Sequence, residues 1–297
     1  MTPIAIFTYN RPDHLEYTLK SILNNHDIED AKIFFFSDGP KNYEDELNIT
    51  KTRKIISKVC RKNKNYISIF RDKNYGLKHN IISGVSEVLS YYDKLIILED
   101  DLLTSKYFYK LLSYLLNIYS INELLGSVTG FMYPIKQNKL YEYDICFTYR
   151  HSSWGWGTWR NIWDKVDWNI KNKIINFDNL NNKVSFNRSG PDMTNLLKLE
   201  KEGKVNSWSI IFDYNMWKLN KLSAAPVLGH IRNIGLDGTG THKVKIKKKD
   251  THTYENEFNK NTFRLPEITY PDKYINDEIY RIHKTPLLNK IYEVIFK

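Results

Sequence analysis

Leu95-Ile96-Ile97-Leu98-Glu99-Asp100-Asp101-Leu102-Leu103 is the stretch from which the rest of the chain can be read. Its leading apolar residues read as a buried strand, and three carboxylates follow where that strand should surface. Like charges packed side by side cost energy unless a cation or a hydrogen-bond network absorbs the repulsion. In open α/β sheets, ligands gather beyond the carboxyl ends of strands. Glu99, Asp100 and Asp101 therefore suit a hard divalent ion carrying a phosphorylated ligand, since Mg²⁺ takes one or two carboxylates and shares substrate phosphates. The plainer alternative is a solvated acidic turn capping a helix that begins near Thr104.

Working back towards residue 1, the same alternation repeats. Ile4 to Thr8 is a short apolar strand, and Asn10-Arg11-Pro12-Asp13 opens a helix with proline in its first turn. Ile33 to Phe36 is a second buried strand, ending in the turn Ser37-Asp38-Gly39-Pro40. A helix through Ile55, Ile56 and Val59 leads to the strand Ile67 to Phe70. The stripe Leu77, Ile81, Val85, Val88, Leu89 then leads to the Leu95 strand. Strands alternating with helices imply a parallel sheet with right-handed crossovers. Polar residues collect at the carboxyl ends: Thr8 to Arg11, Asp38, then the acidic triplet. Neither a Gly-rich dinucleotide fingerprint nor a P-loop is present.

Beyond the triplet, Tyr107 to Leu116 reads as an apolar helix and Leu125 to Gly130 as a strand. His151-Ser152-Ser153-Trp154-Gly155-Trp156-Gly157-Thr158-Trp159 is poor helix and poor strand. It is either a satellite hydrophobic cluster under a loop or a wall for a sugar or lipid-linked acceptor. Asn169 to Ser189 reads as a surface excursion, Thr194 to Glu202 as a helix and Ala224 to Leu228 as a last strand. Asp213 lies inside the apolar run Trp208 to Trp217, where it caps a helix, pairs with a basic residue or acts as a base. Asn233 to His242 is a Gly-rich loop apt for folding over a ligand. The end of the chain, Leu287 to Lys297, is an amphipathic helix at a membrane or a docked terminus.

Composition bounds the partners. The 297 residues carry a formal net charge of +10, which favours an anionic partner. No helix-turn-helix, zinc-finger or RNA-binding signature is present, so nucleic acid is not expected. A phosphorylated substrate or an anionic membrane surface fits the charge. The 21 Tyr and 7 Trp can serve as core or as platforms for sugars and lipid interfaces. Cys60 and Cys146 have no metal-ligand spacing. No bilayer-length apolar run and no signal segment are seen, so a cytoplasmic protein is expected, with the inner face of the membrane as a place of work.

Taken in order, Ile4 to Pro12, Phe34 to Gly39, Leu95 to Leu102, the Trp/Gly stretch and Trp208 to Trp217 resemble nucleotide-sugar glycosyltransferases of the GT-A fold. The group most similar is one of bacterial sugar transferases related to N-acetylglucosaminyltransferase I. The resemblance implies an α/β fold, a Rossmann-like and mostly parallel sheet flanked by helices, with an irregular C-terminal acceptor region. It spans residues 1–242, with 1–130 as the nucleotide-sugar half and 131–242 as the acceptor and catalytic half; 243–297 form an extension. It implies donor contacts from Thr8, Asn10, Arg11, Asp38, Glu99 and Asp100, with Arg11 and Asp38 on the nucleoside and Asp100 facing the ribose. Asp101 would bind the divalent cation, Mn²⁺ or Mg²⁺. Asp213 would be the general base of an inverting transfer. Trp154, Trp156, Gly240 and His242 would serve the acceptor or the closing loop.

The implied reaction moves a sugar from a nucleoside diphosphate, UDP first, to a hydroxyl of a bacterial surface glycan or lipid-linked acceptor. A metal neutralises charge on the departing diphosphate, and a base stands near the acceptor hydroxyl. Two other readings remain. A nucleotidyltransferase shares the layout but needs a Gly-rich, Arg-containing N-terminal loop, which Thr8 to Asp13 lacks. A non-catalytic carbohydrate-binding module or degenerate transferase explains the aromatic residues but leaves the triplet without purpose.

Overall fold

The computed structural model describes residues 1–136, 140–170, 177, 179–238 and 262–284. The expected Gly240 and His242 and the terminal segment 287–297 lie outside these residues.

The first half follows the anticipated alternation: β1 (Ile4–Thr8), α1 (Pro12–Ile22), β2 (Ile33–Ser37), α2 (Tyr43–Cys60), β3 (Tyr66–Phe70), α3 (Leu77–Leu89) and β4 (Lys94–Glu99). All five residues of β1 and four of β4 are buried, as expected of parallel strands covered on both faces. The second half adds β5 (Leu102–Thr104), α4 (Phe108–Ile118), β6 (Leu125–Thr129), β7 (Ile145–Thr148), β8 (Trp156–Trp159), α5 (Arg160–Trp163), α6 (Leu180–Phe186), α7 (Met193–Lys201), α8 (Trp208–Lys218), β9 (Leu222–Pro226), β10 (Ile231–Asn233) and α9 (Lys273–Lys284). A short 3₁₀ turn over Asn187–Ser189 follows α6.

Eight strands form one mixed sheet in the order β3-β2-β1-β4-β8-β6-β9-β7. β1 to β4 are mutually parallel; β8 runs against β4 and β6, β9 runs with β6, and β7 runs against β9. Six strands therefore share a direction, and their carboxyl ends define one edge. Thr148, at the end of β7, pairs with Ser223 near the start of β9 and so lies towards the opposite edge.

Three expectations need correction. The Trp/Gly stretch is not poor strand, because Trp156–Trp159 is β8 in the middle of the sheet. Gly157 makes this possible: a Cβ there would stand 2.9 Å from both the Leu95 carbonyl and Leu116. Alternation then sends Trp156 onto Trp208 of α8 (centroids 5.0 Å apart) and Trp159 to the other face, where its Nε1 donates to the Leu116 carbonyl at 2.9 Å. The triplet is not followed by a helix near Thr104, since β5 comes first and pairs antiparallel with β10. Asn169 to Ser189 is also more than an excursion. Phe186 is fully buried with Met193, Leu197, Ile211 and Tyr214 in a second small core.

The extension returns to the body through α9. Ile275 and Ile279 pack on Met132, Cys146 and Ala225. Asn276 receives the Tyr149 amide at 3.1 Å and donates to the Phe147 carbonyl at 3.0 Å, covering the edge strand β7. Among the described residues, no helix is long and apolar enough to cross a membrane.

Candidate active site

The acidic triplet stands where β4 surfaces, and its surroundings come from both ends of the chain. Asp100 turns inward: its Oδ2 accepts the Tyr9 amide at 3.0 Å, and its carbonyl accepts from Thr18 Oγ1 at 2.8 Å. Asp101 Oδ2 accepts from Arg11 Nη1 at 2.6 Å, and the same nitrogen is 4.0 Å from Asp100 Oδ1. Its other oxygen makes no hydrogen bond among the described residues. Burial first, and the crowding of Asp101 second, hold Glu99 and Asp100 above the usual carboxylate range. The Glu99 carboxyl also has no hydrogen-bond partner among the described residues.

The β5–β10 pairing explains why a loop from beyond residue 230 arrives here. Asn233 pairs with Leu102, and the Ile234 amide then donates to the Asp101 carbonyl at 2.9 Å. Gly235 follows so closely that a Cβ would lie 1.9 Å from Asp101 Oδ2, and its carbonyl accepts from Arg11 Nη2 at 3.0 Å. Asp237 Oδ2 lies 3.1 Å from His14 Nε2. Arg11 is thus the hub of the site. Neither His14 nor the backbone approach of Gly235 was singled out from sequence, because both depend on β10 pairing with β5.

At the end of β2, Asp38 is buried and fully engaged. Oδ1 accepts the Gly39 and Tyr75 amides at 2.9 and 2.8 Å, and Oδ2 accepts the Gly76 amide at 2.9 Å and Asn74 Nδ2 at 3.2 Å. It fixes the turn that starts α3. Thr8 is buried, with Oγ1 3.4 Å from the Phe36 carbonyl, and Asn10 Nδ2 donates to Asp45 Oδ1 at 2.5 Å. Thr8, Asn10, Arg11, Asp38, Glu99, Asp100 and Asp101 therefore line one sheet edge.

Asp213 stands apart from them. Lys78, in the first turn of α3, pairs with Glu200, whose other oxygen accepts the Ser207 amide at 2.6 Å. This places the start of α8 at the carboxyl edge and runs the helix away from it. Asp213 is five residues further on, about 7.5 Å along the axis. It is buried, and its Oδ1 accepts the His151 amide at 2.9 Å. Burial pushes it up to about 7, against the pull of Arg150. Arg150 in turn forms a two-pronged pair with Asp192 at 2.8 and 2.9 Å. Asp213 thus lies in the middle of α8, with the His151 amide on one oxygen. Of the two tryptophans expected at the acceptor, Trp156 is fully buried, so it forms core here, whereas Trp154 is half-buried and packs edge-on to Phe131 at 4.7 Å.

The edge fits a divalent cation of the kind that shares ligands with phosphate. Among the described residues no group of three or more His, Cys, Asp or Glu could hold a metal alone. Mg²⁺ and similar ions, however, take one or two carboxylates and complete their shell with substrate oxygens and water. Asp101, anchored through one oxygen with the other unengaged, and the crowded Glu99 are donors of that kind.

Comparison with known proteins gives two kinds of result. The family model described as glycosyl transferase family 2 matches residues 4–190. No curated protein sequence matches the chain. Among solved structures, similarity extends to the mannosyltransferase PcManGT from Pyrobaculum calidifontis in complex with GDP-Man and Mn²⁺ (TM-score 0.38, 11% identity, 54% of this chain and 46% of that one). It extends also to S. aureus TarS residues 1–349 (TM-score 0.45, 10% identity, 78% and 60%) and to the same protein with UDP-GlcNAc (TM-score 0.46, 10% identity, 78% and 58%). The chain thus spans 46 to 60% of the length of these solved chains.

Proposed function

Because this chain belongs to glycosyl transferase family 2, whose model spans residues 4–190 of its 297, we propose that it transfers a sugar from a nucleoside-diphosphate donor to an acceptor hydroxyl. UDP-sugars are the donors to test first, and a glycan or lipid-linked chain is the acceptor class. One observation carries the reading: just beyond the carboxyl end of β4, Asp101 is anchored by Arg11 at 2.6 Å through one oxygen while the other makes no hydrogen bond among the described residues.

In this reading Asp101 holds Mn²⁺ or Mg²⁺ with help from Glu99. Bound there, the ion supplies Lewis-acid stabilisation of the departing diphosphate. The chain's own residues do the positioning. Arg11 aims Asp101 and adds a fixed positive charge at the diphosphate end of the crevice. Asp38 holds the Asn74–Gly76 turn that borders the nucleoside, and Asp100 ties the β4 end to the Tyr9 amide. Trp154, on the same edge as Gly155 and Gly130, offers an aromatic face to the acceptor.

The test is a nucleotide-sugar panel with Mn²⁺, scored by release of nucleoside diphosphate, on the wild type and on Asp101→Asn. The substitution removes a hard charged ligand and little volume. The expected result is release with at least one donor and loss of most cation-dependent nucleotide binding in the variant. Wild-type affinity and turnover in Asp101→Asn would sink the assignment. Donor binding with no release, even to water, would mark a binding module without transfer.

A further inference from the structure

The first helix presents two nitrogen-bearing side chains to one carboxylate from the far part of the chain. Arg11 occupies the N-cap position of α1 and His14 its first turn. Arg11 Nη2 stands 4.0 Å from Asp237 Oδ1, and His14 Nε2 stands 3.1 Å from Asp237 Oδ2. The partners are not held alike. The Arg11 and His14 side chains are 14 and 15% exposed, and Arg11 is further fixed by Asp101 and the Gly235 carbonyl. The Asp237 side chain is 45% exposed and sits on the turn after β10.

An anionic group held by a guanidinium and an imidazole, next to a carboxylate suited to a divalent ion, has the chemistry of a phosphate site. Arginine forks match carboxylate and phosphate oxygens in the same geometry. A carboxylate can therefore occupy the place of a phosphate when no phosphate is present. We propose that Asp237 is such a stand-in: its carboxylate fills an anion site formed by Arg11 and His14, and the diphosphate of the donor displaces it. The inference rests on the donor reading of this edge. It makes His14 a phosphate-binding residue and Asp237 a competitor of the ligand rather than its partner.

Competition has a direction that a ligand role lacks. If a share of the protein holds Asp237 in the anion site, apparent donor affinity is reduced by the open fraction. Asp237→Asn removes the charge and keeps the size, so nucleoside diphosphate should bind more tightly. His14→Gln keeps a hydrogen-bonding side chain but removes the imidazole from the site, so it should bind the diphosphate more weakly. The two effects should not add, because Asp237 loses part of its hold once His14 is gone.

The experiment is calorimetric titration of UDP, GDP and inorganic pyrophosphate into the full chain, with Mn²⁺ present. It compares wild type, Asp237→Asn, His14→Gln and the double variant, each checked by a thermal melt. The expected result is binding tightened roughly fivefold or more by Asp237→Asn and weakened by a similar factor by His14→Gln, within the usual range of coupling between sites. Weaker or unchanged binding in Asp237→Asn overturns the inference and would make Asp237 a donor or cation ligand. Unchanged binding in a folded His14→Gln overturns it as well. If the wild type binds none of the three probes, the donor reading itself fails and the inference falls with it; binding by the wild type keeps the two failures distinct.

Discussion

Gly235 shows how tightly the site is drawn. A methyl group there would lie 1.9 Å from Asp101 Oδ2 and 2.9 Å from Arg11 Nη1, so Gly235→Ala has to separate the pair or push back the loop. Misplacement by about 1 Å near a reacting centre can cost 10²-fold. Gly235→Ala should therefore lower donor affinity or turnover at least tenfold while barely moving the melting temperature, which nucleotide titration and a thermal melt would check. Asp213 is a different case, a buried carboxyl in mid-helix whose one oxygen takes the His151 amide, and the arrangement favours a structural role that a substitution can test. Its raised value, about 7 against an ordinary 3.8, means that the folded protein disfavours the ionised form. Its contribution to stability is complete below 3.8 and is lost as the pH rises through about 7. Asp213→Asn should flatten that part of the stability-against-pH curve and leave transfer within a few-fold of wild type. A fall of about 10²–10⁴-fold, typical of losing a general base, would restore the catalytic reading.

Among the elements, β8 is the least expected. Tryptophan and glycine in alternation look like neither helix nor strand, yet each glycine answers a neighbour. A Cβ on Gly155 would meet Ile231 at 2.6 Å, and Gly155 has a φ of +60°. Gly157 lets α4 and β4 close on the strand from either side. Gly157→Ala would force Leu116 or the Leu95 carbonyl to move and should destabilise the fold by about 1–3 kcal/mol, the usual cost of overpacking. Chemical denaturation would measure it, and a change below about 0.5 kcal/mol would mean that the sheet yields there more readily than core packing normally allows. The α3–α7–α8 junction is a second point of fixation. Lys78, Glu200 and the Ser207 amide tie the start of α8 to α3, in the first half of the chain.

For the whole molecule, the +10 net charge is a long-range property that no single contact expresses. It should draw the protein to anionic surfaces and be screened by salt, with a Debye length of about 10 Å at 0.1 M. Co-sedimentation with phosphatidylserine-containing vesicles should be strong at low salt and largely lost near 0.5 M. Indifference to such vesicles at low salt would show that the basic balance serves the anionic substrate alone. The mixed sheet also separates two faces of the protein. The proposed donor site lies at the carboxyl edge of the six co-directional strands, while α9 covers β7 and meets the 3₁₀ turn after α6.

The first half of the chain was legible from residue order alone, because its strands and helices are local, periodic and joined by short crossovers. The acidic triplet was legible for the same reason: three adjacent carboxylates after an apolar run can be seen without knowing what lies opposite. Tertiary structure alone decided what depends on non-local pairing. β10 must find β5 before Gly235 and Asp237 can reach Arg11 and His14, more than two hundred residues away. The direction of α8 had to be known before Asp213 could be placed. The burial of Trp156 follows from Trp163 on α5 and from Trp208 and Phe212 on α8, which its own stretch does not name. Local pattern reports which face of an element is apolar, but only the assembled sheet determines which edge that element meets.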